Sequence, residues 1–299
     1  MASSTHETTD KAAAPKTADS NSGIKTAVAN MNKVGAKTKS DAASTQPTTQ
    51  PSSVDLSANP YEAVAVANKK GQTTRVKDAA GGWAIAVDHG SPAVATDTGA
   101  GNAKAVDNAK KGGDATADNT GSGKAVAVAD SNGSTADATN EGSGKAKAVT
   151  KVGSHGSTAD ATNTGSGTAD ATTRGANSTA DATNTGKGSA DANANSRKST
   201  ADATNKGSGT ADATTKVGSH GATADASNKG SGSADATTRG ANSTADASNK
   251  GSGSADANAN SRKSTADATN KGSGTADATT KVGSHGATAD ASNKGSGSA

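Results

Sequence analysis

The sequence predicts an all-β fold, a two-sided solenoid with an alanine core, about 21 residues and two strands per coil. Three observations predict it. A phrase of the type STADATN, first met at Ser134–Asn140, returns about every ten residues until the chain stops. KVGSHG at 151, 216 and 281 marks a longer repeat of 65 residues, within which the Asp of each Ala-Asp pair advances by 10, 11, 10, 11, 10 and 13 residues before starting again. One step is constant and the other varies, so two unlike turns alternate, one after each strand of a coil. Finally, only 29 % of the 299 residues are hydrophobic, with one Trp, one Tyr and no Phe. Large apolar side chains dominate ordinary cores, so the chain is organised in one dimension or is largely disordered low-complexity sequence. Disorder is the alternative fold reading.

Three regions follow along the chain. Residues 1–58 are rich in Ser, Thr, Ala, Lys and Pro without periodicity and read as a disordered tail. Residues 59–150 carry short alternating runs such as EAVAVAN, WAIAVD and KAVAVAD, separated by Gly, Asn, Ser and Lys, which read as strands of divergent coils. Residues 151–299 are the tandem array, whose copies 151–215 and 216–280 differ at seven positions. Duplication explains that identity without a functional site. Gly and Asn in the turns suit the positive-φ conformations of tight corners.

Parity assigns the faces. In Thr158-Ala159-Asp160-Ala161-Thr162 one face holds alanine and the other Thr, Asp, Thr. Burying Asp unpaired is costly, so Ala points inward and the two sheets approach unusually closely. Asn163 has inward parity at the end of its strand, as do Asn119, Asn140, Asn184, Asn205 and their successors to Asn293. Stacked coils turn these into an amide ladder.

The outward residues form the candidate surface array: Thr158, Asp160, Thr162, then Thr179, Asp181, Thr183, then Thr200, Asp202, Thr204. In residues 60–150 the other side carries an apolar column, Val66, Val87, Val106, Val128 and Val149, beside Val64, Trp83, Ile85 and Val126. This is a candidate interaction stripe, covered by the tail, another chain or a surface. Otherwise the facing is reversed there and these residues are core.

Composition narrows the function classes. Basic and acidic residues number 31 and 28, a balance that gives no strong nucleic-acid signal. The shortage of aromatics for base stacking weakens it further. Cysteine is absent, so thiolate metal sites and disulfides are excluded and the redox compartment is open. No signal peptide or run of bilayer length is visible, and localisation is open. His155, His220 and His285 recur once per three coils, about 14 Å apart, too far to share a metal. GSGK at 121–124 and 142–145 lacks the rest of a phosphate loop. An alanine-filled interior leaves no pocket for catalytic groups. The expectation is therefore a non-enzyme with no catalytic residues, no cofactor and no metal.

Three resemblances frame the functional reading. GSGTAD resembles the glycine–aspartate repeats of calcium-binding β-rolls, which implies calcium between carboxylates; here the Asp lies mid-strand, and a charge-balanced solvated face explains it without metal. The threonine columns resemble the flat arrays of insect antifreeze proteins, which implies ice binding, although an Asp column separates them here. The hydrophilic composition resembles hydrophilins and late-embryogenesis proteins, which implies a disordered desiccation or cold protectant. The leading expectation is a repetitive structural protein, a rod-like or surface-display and adhesive solenoid. The chain ends two residues into a strand of the repeat without a cap, so its expected partners are further copies through uncapped ends, with a surface or polymer as a possible ligand.

Overall fold

The computed structural model describes residues 53–55, 63–67, 74–78, 83–89, 92–109, 111–151, 153–216, 218–281 and 285–299, with side-chain surroundings from Trp83 onward. The expected tail lies outside these residues except for its last part, where the first strand, β1 (Ser53–Asp55), pairs in parallel with β3 (Thr74–Asp78). Among the described residues there are 23 strands and no helix. Odd-numbered strands, from β1 to β23 (Thr288–Asn293), form one parallel sheet of twelve. Even-numbered strands, from β2 (Ala63–Ala67) to β22 (Ala276–Thr280), form a parallel sheet of eleven. Each strand therefore pairs with the next strand but one, and the chain alternates between sheets at every turn. This is the expected two-sided solenoid.

Register follows from the repeat. On the odd sheet Thr158, Ala159, Asp160, Ala161, Thr162 and Asn163 pair with Thr179, Ala180, Asp181, Ala182, Thr183 and Asn184, 21 residues on. Every residue stacks on its own kind. A slip by one residue would turn alanine outward and Asp inward. The 13-residue step leaves register intact: Thr200 pairs with Thr223, and the two added residues are absorbed in the turn.

Among the described residues every buried apolar side chain is alanine. Strands read intermediate and buried in strict alternation, as in β11 (Thr158–Asn163). An alanine methyl has no rotamer to adjust, so the core is filled at a single backbone separation. Threonine suits the outward positions, where a β-branched side chain fits a pleated, half-covered surface.

The two corners use glycine for different reasons. At the corner after each even strand glycine or a substitute holds positive φ: Gly133 has φ 68°, and Asn177 and Lys198 take the left-handed region at 54° and 51°. The Gly-X-Gly corner after each odd strand, with X mostly Ser, has no positive-φ glycine in the repeats. There the requirement is close stacking. A Cβ at Gly207 would overlap the carbonyl oxygen of Gly186 in the coil before it, whereas a Cβ at Gly133 meets nothing. The expectation that glycine suits positive φ at the tight corners is thus corrected at this corner. Gly207→Ala is expected to lower stability by about 3 kcal/mol, at the upper end of ordinary substitutions. Gly133→Ala is expected to cost about 1–2 kcal/mol, the left-handed penalty alone. Urea denaturation of the two variants compares them; a larger loss for Gly133→Ala contradicts the stacking account.

Candidate functional site

Two inner columns hold the corners. Asn140, Asn163, Asn184, Asn205, Asn228, Asn249 and Asn270 are fully buried. Each Nδ2 donates to the Oδ1 of the next, at 2.8 Å for Asn163 to Asn184 and for Asn184 to Asn205, and 2.9 Å for Asn205 to Asn228. Each Nδ2 also donates to a glycine carbonyl of its own corner, as from Asn205 to Gly207 at 3.0 Å. The amide ladder expected from parity is present from Asn140 to Asn293, while Asn119, in the same column, donates from Nδ2 to the Gly101 carbonyl at 3.3 Å instead.

The opposite corner holds a serine column that the parity reading passed over. Ser157, Ser178, Ser199, Ser243 and Ser264 are buried. The backbone N–H of Ser157 donates to Ser178 Oγ at 3.1 Å, and Ser178 Oγ donates to the Ser154 carbonyl at 3.0 Å. The signal was in the phrase: the Ser of STADATN has the same parity as its two alanines. Ala222 occupies this column in the second copy.

Inward parity also buries three acids. Asp88, Asp97 and Asp107 end their strands, β4 (Trp83–Asp88), β5 (Ala93–Asp97) and β6 (Asn102–Asp107), at zero exposure. Asp97 pairs in register with Asn119 and so heads the amide column. Its Oδ1 accepts from the Gly99 N–H at 2.7 Å, and Asp107 Oδ1 accepts from the Ala109 N–H at 2.9 Å. Each closes its corner as Asn119 does by accepting from the Gly121 N–H at 2.7 Å. Burial, with the neighbouring Asp88 and Asp114, raises the Asp107 pKa against that backbone hydrogen bond. The cost of burying Asp pointed away from these positions; a local turn hydrogen bond is what makes Asp97 and Asp107 tenable.

Outside, the odd sheet places Thr158, Thr179 and Thr200 in one column, Asp160, Asp181 and Asp202 in the next, and Thr162, Thr183 and Thr204 in the third. All nine are half-buried. On the even sheet Val66, Val87, Val106, Val128 and Val149 pair in sequence, and the column continues into Thr172. Val87, Val106, Val128 and Val149 are half-buried while the alanines between them are fully buried, so the stripe faces outward and the reversed facing is excluded there. Val64 and Val66 are placed by register alone. Trp83, beside the stripe, is 42 % exposed. The adjacent column is not continuously apolar: it runs Ile85, Lys104, Val126, Lys147, Asp170.

The Asp columns set the electrostatics. Burial and the carboxylates above and below push Asp137 and Asp202 up to about 6. Asp235 on the even sheet is raised likewise, by burial and by Asp256. Asp170 is the exception. Burial pushes it up, but Lys145 Nζ at 3.0 Å and Lys147 Nζ at 3.3 Å overcome this, and its pKa is lowered.

These shifts fix the sign of a pH effect. A carboxyl with its folded pKa above its unfolded value binds protons more tightly when folded. Its contribution is fully present below the unfolded value of 3.8 and is lost as pH rises through about 6. Asp170 acts in the opposite sense but is outnumbered. The melting temperature is therefore expected to be higher at about pH 5 than at about pH 7.5, and added salt is expected to raise it at the higher pH by screening the columns. Calorimetry across this range checks it; a higher value at neutral pH and low salt contradicts it.

Among the described residues no three His, Cys, Asp or Glu side chains converge as metal ligands would, and no helix is long and apolar enough to cross a membrane. Comparison with known proteins found no matching family model, curated protein or solved structure.

Proposed function

We propose that this protein is a non-enzymatic structural element, a stiff β-solenoid rod that presents repeated rows of side chains instead of a single site. One observation carries the reading: the coils stack in strict register over an interior of alanine methyls, so on the odd sheet the same outward Thr and Asp recur at every turn of the tandem array. With strands about 4.8 Å apart, the twelve-stranded sheet extends about 50 Å. Such a lattice suits scaffolding, display or adhesion, where many weak and equivalent contacts act together.

Small-angle scattering with far-UV circular dichroism tests this. The expected result is a β spectrum and the cross-section profile of a thin rod. A random-coil spectrum, with protection of a labile enzyme during drying, would instead support the disordered protectant. A second reading, ice binding, draws on the in-register threonine columns of the odd sheet. Thermal hysteresis that is lost in a Thr179→Lys, Thr200→Lys, Thr223→Lys variant would favour it over the scaffold.

A further inference from the structure

The corner that follows the amide ladder carries a row of charge that the faces do not use. Directly after Asn205, Asn228, Asn249, Asn270 and Asn293 stand Lys206, Lys229, Lys250, Lys271 and Lys294. They stack in register: the N–H of Lys206 bonds the Asn184 carbonyl at 2.8 Å, that of Lys229 the Asn205 carbonyl at 2.9 Å, and that of Lys250 the Asn228 carbonyl at 2.9 Å. Lys271 and Lys294 continue the pattern on Asn249 and Asn270. All five are exposed.

Among the described residues no ion pair neutralises this row. The ion pairs among the described residues involve Lys145, Lys147 and Lys151. The nearest Asp of the same strand lies four residues back, about 13 Å along it. Threonine fits the position equally well, since Thr120, Thr164 and Thr185 occupy it in earlier coils with the same backbone bond. Lysine is therefore not demanded by the fold. The edge on the other side is also basic, with Lys151, Arg174, Lys216, Arg239 and Lys281, but Asn195 and Asn260 break it after every second basic residue.

The complementary row is on the same molecule. Asp137, Asp160, Asp181, Asp202, Asp225, Asp246, Asp267 and Asp290 form one column of the odd sheet with no basic residue among them. Both rows advance by one residue per coil. Two copies with parallel axes therefore match charge for charge along the whole row, because they share one axial repeat. Lys145 and Lys147 against Asp170 show within one chain what lysine does for such a column.

We propose that the solenoid associates side by side with further copies of itself, the row Lys206, Lys229, Lys250, Lys271 and Lys294 of one copy lying along the Asp column of another copy's odd sheet. The proposal rests on the rod reading above. Exposed ion pairs are individually weak and screened by salt, so the association depends on their number and on ionic strength. A heterologous contact of this kind leaves each copy's second row free to take a further copy, so it builds lateral bundles unless the rotation between copies closes a ring.

Sedimentation velocity of the full chain at neutral pH tests it, at about 20 mM and about 500 mM NaCl, where screening lengths differ several-fold. The expected result is concentration-dependent association at low salt and monomer at high salt. Replacing Lys206, Lys229, Lys250 and Lys271 by threonine is expected to leave the circular dichroism spectrum unchanged and to abolish association. A chain carrying Lys229→Asp, Lys250→Asp and Lys271→Asp, and one carrying Asp225→Lys, Asp246→Lys and Asp267→Lys, are each expected to associate less than the parent and to recover association when mixed. A wild type that stays monomeric at low salt while keeping its β spectrum and rod profile overturns this proposal and leaves the rod reading standing. A random-coil spectrum overturns both. Association that survives the threonine variant overturns it too, as does a monomer whose lysine row instead binds a polyanion such as heparin.

Discussion

Ala203→Leu is expected to abolish cooperative folding of the coils around it, while Thr204→Leu, one residue along the same strand, keeps wild-type stability. Ala203 has zero exposure in β15 (Thr200–Asn205), which lies across the core from β14 (Ala190–Ala194) and β16 (Ala211–Thr215). Extra methylenes in an ordinary core cost about 1–3 kcal/mol, because neighbouring side chains shift rotamers to admit them. Its in-register neighbours Ala182 and Ala226, and the alanines of the facing strands, Ala190, Ala192, Ala194, Ala211 and Ala213, are also fully buried. They have no side-chain torsion to move, so only the backbones can yield, and each belongs to a continuous sheet. The loss is expected at or above the top of that range. At Thr204 the leucine points outward and adds apolar surface without steric conflict. Urea unfolding with amide exchange measures both. Equal stabilities for the two variants would show that the interior is not closed.

The second large effect is expected at the amide ladder. Asn205 makes four hydrogen bonds: its Oδ1 accepts from Asn184 Nδ2 at 2.8 Å and from the Gly207 N–H at 3.3 Å, and its Nδ2 donates to the Gly207 carbonyl at 3.0 Å and to Asn228 Oδ1 at 2.9 Å. At about 1 kcal/mol net for each bond, Asn205→Ala is expected to lose about 3–4 kcal/mol. Stability in a repeat array is largely a sum over neighbouring units, so the loss is expected as lowered exchange protection near residues 184–228 more than as a uniform shift. Asn205→Asp separates hydrogen bonding from volume. Its carboxylate keeps the two acceptor contacts but faces Asn228 Oδ1, another acceptor. Protonation restores a donor, so this variant is expected to recover stability as pH falls, more steeply than the parent. Protection unchanged in both variants would mean that the ladder contributes nothing.

These two sites also mark how much of the fold was legible. The inward parity of Ala203 and Asn205 could be read from the spacing of the Ala-Asp pairs, because strand periodicity and the cost of burying carboxylate point the same way. The outward facing of Val87, Val106, Val128 and Val149 was legible from register alone, although hydrophobicity argued against it. Ser157 and its column went unread for lack of an apolar signal at the strand entrance. Gly207 could not be distinguished from Gly133 by residue type: one is needed because another chain segment lies against it, the other because of its own φ.

By itself the sequence determined the period of the coil, the two kinds of turn, the alanine interior and the amide column, since each follows from local alternation repeated at a regular interval. Only the tertiary structure decided how neighbouring coils meet. It placed the glycine contacts, the serine column, the turn bonds that make buried Asp97 and Asp107 tenable, and the alignment of Lys206 through Lys294 into one row. The physical reason is distance along the chain. Parity acts between residues two apart, whereas these features join residues that are one coil apart and become neighbours only once parallel pairing has set the register.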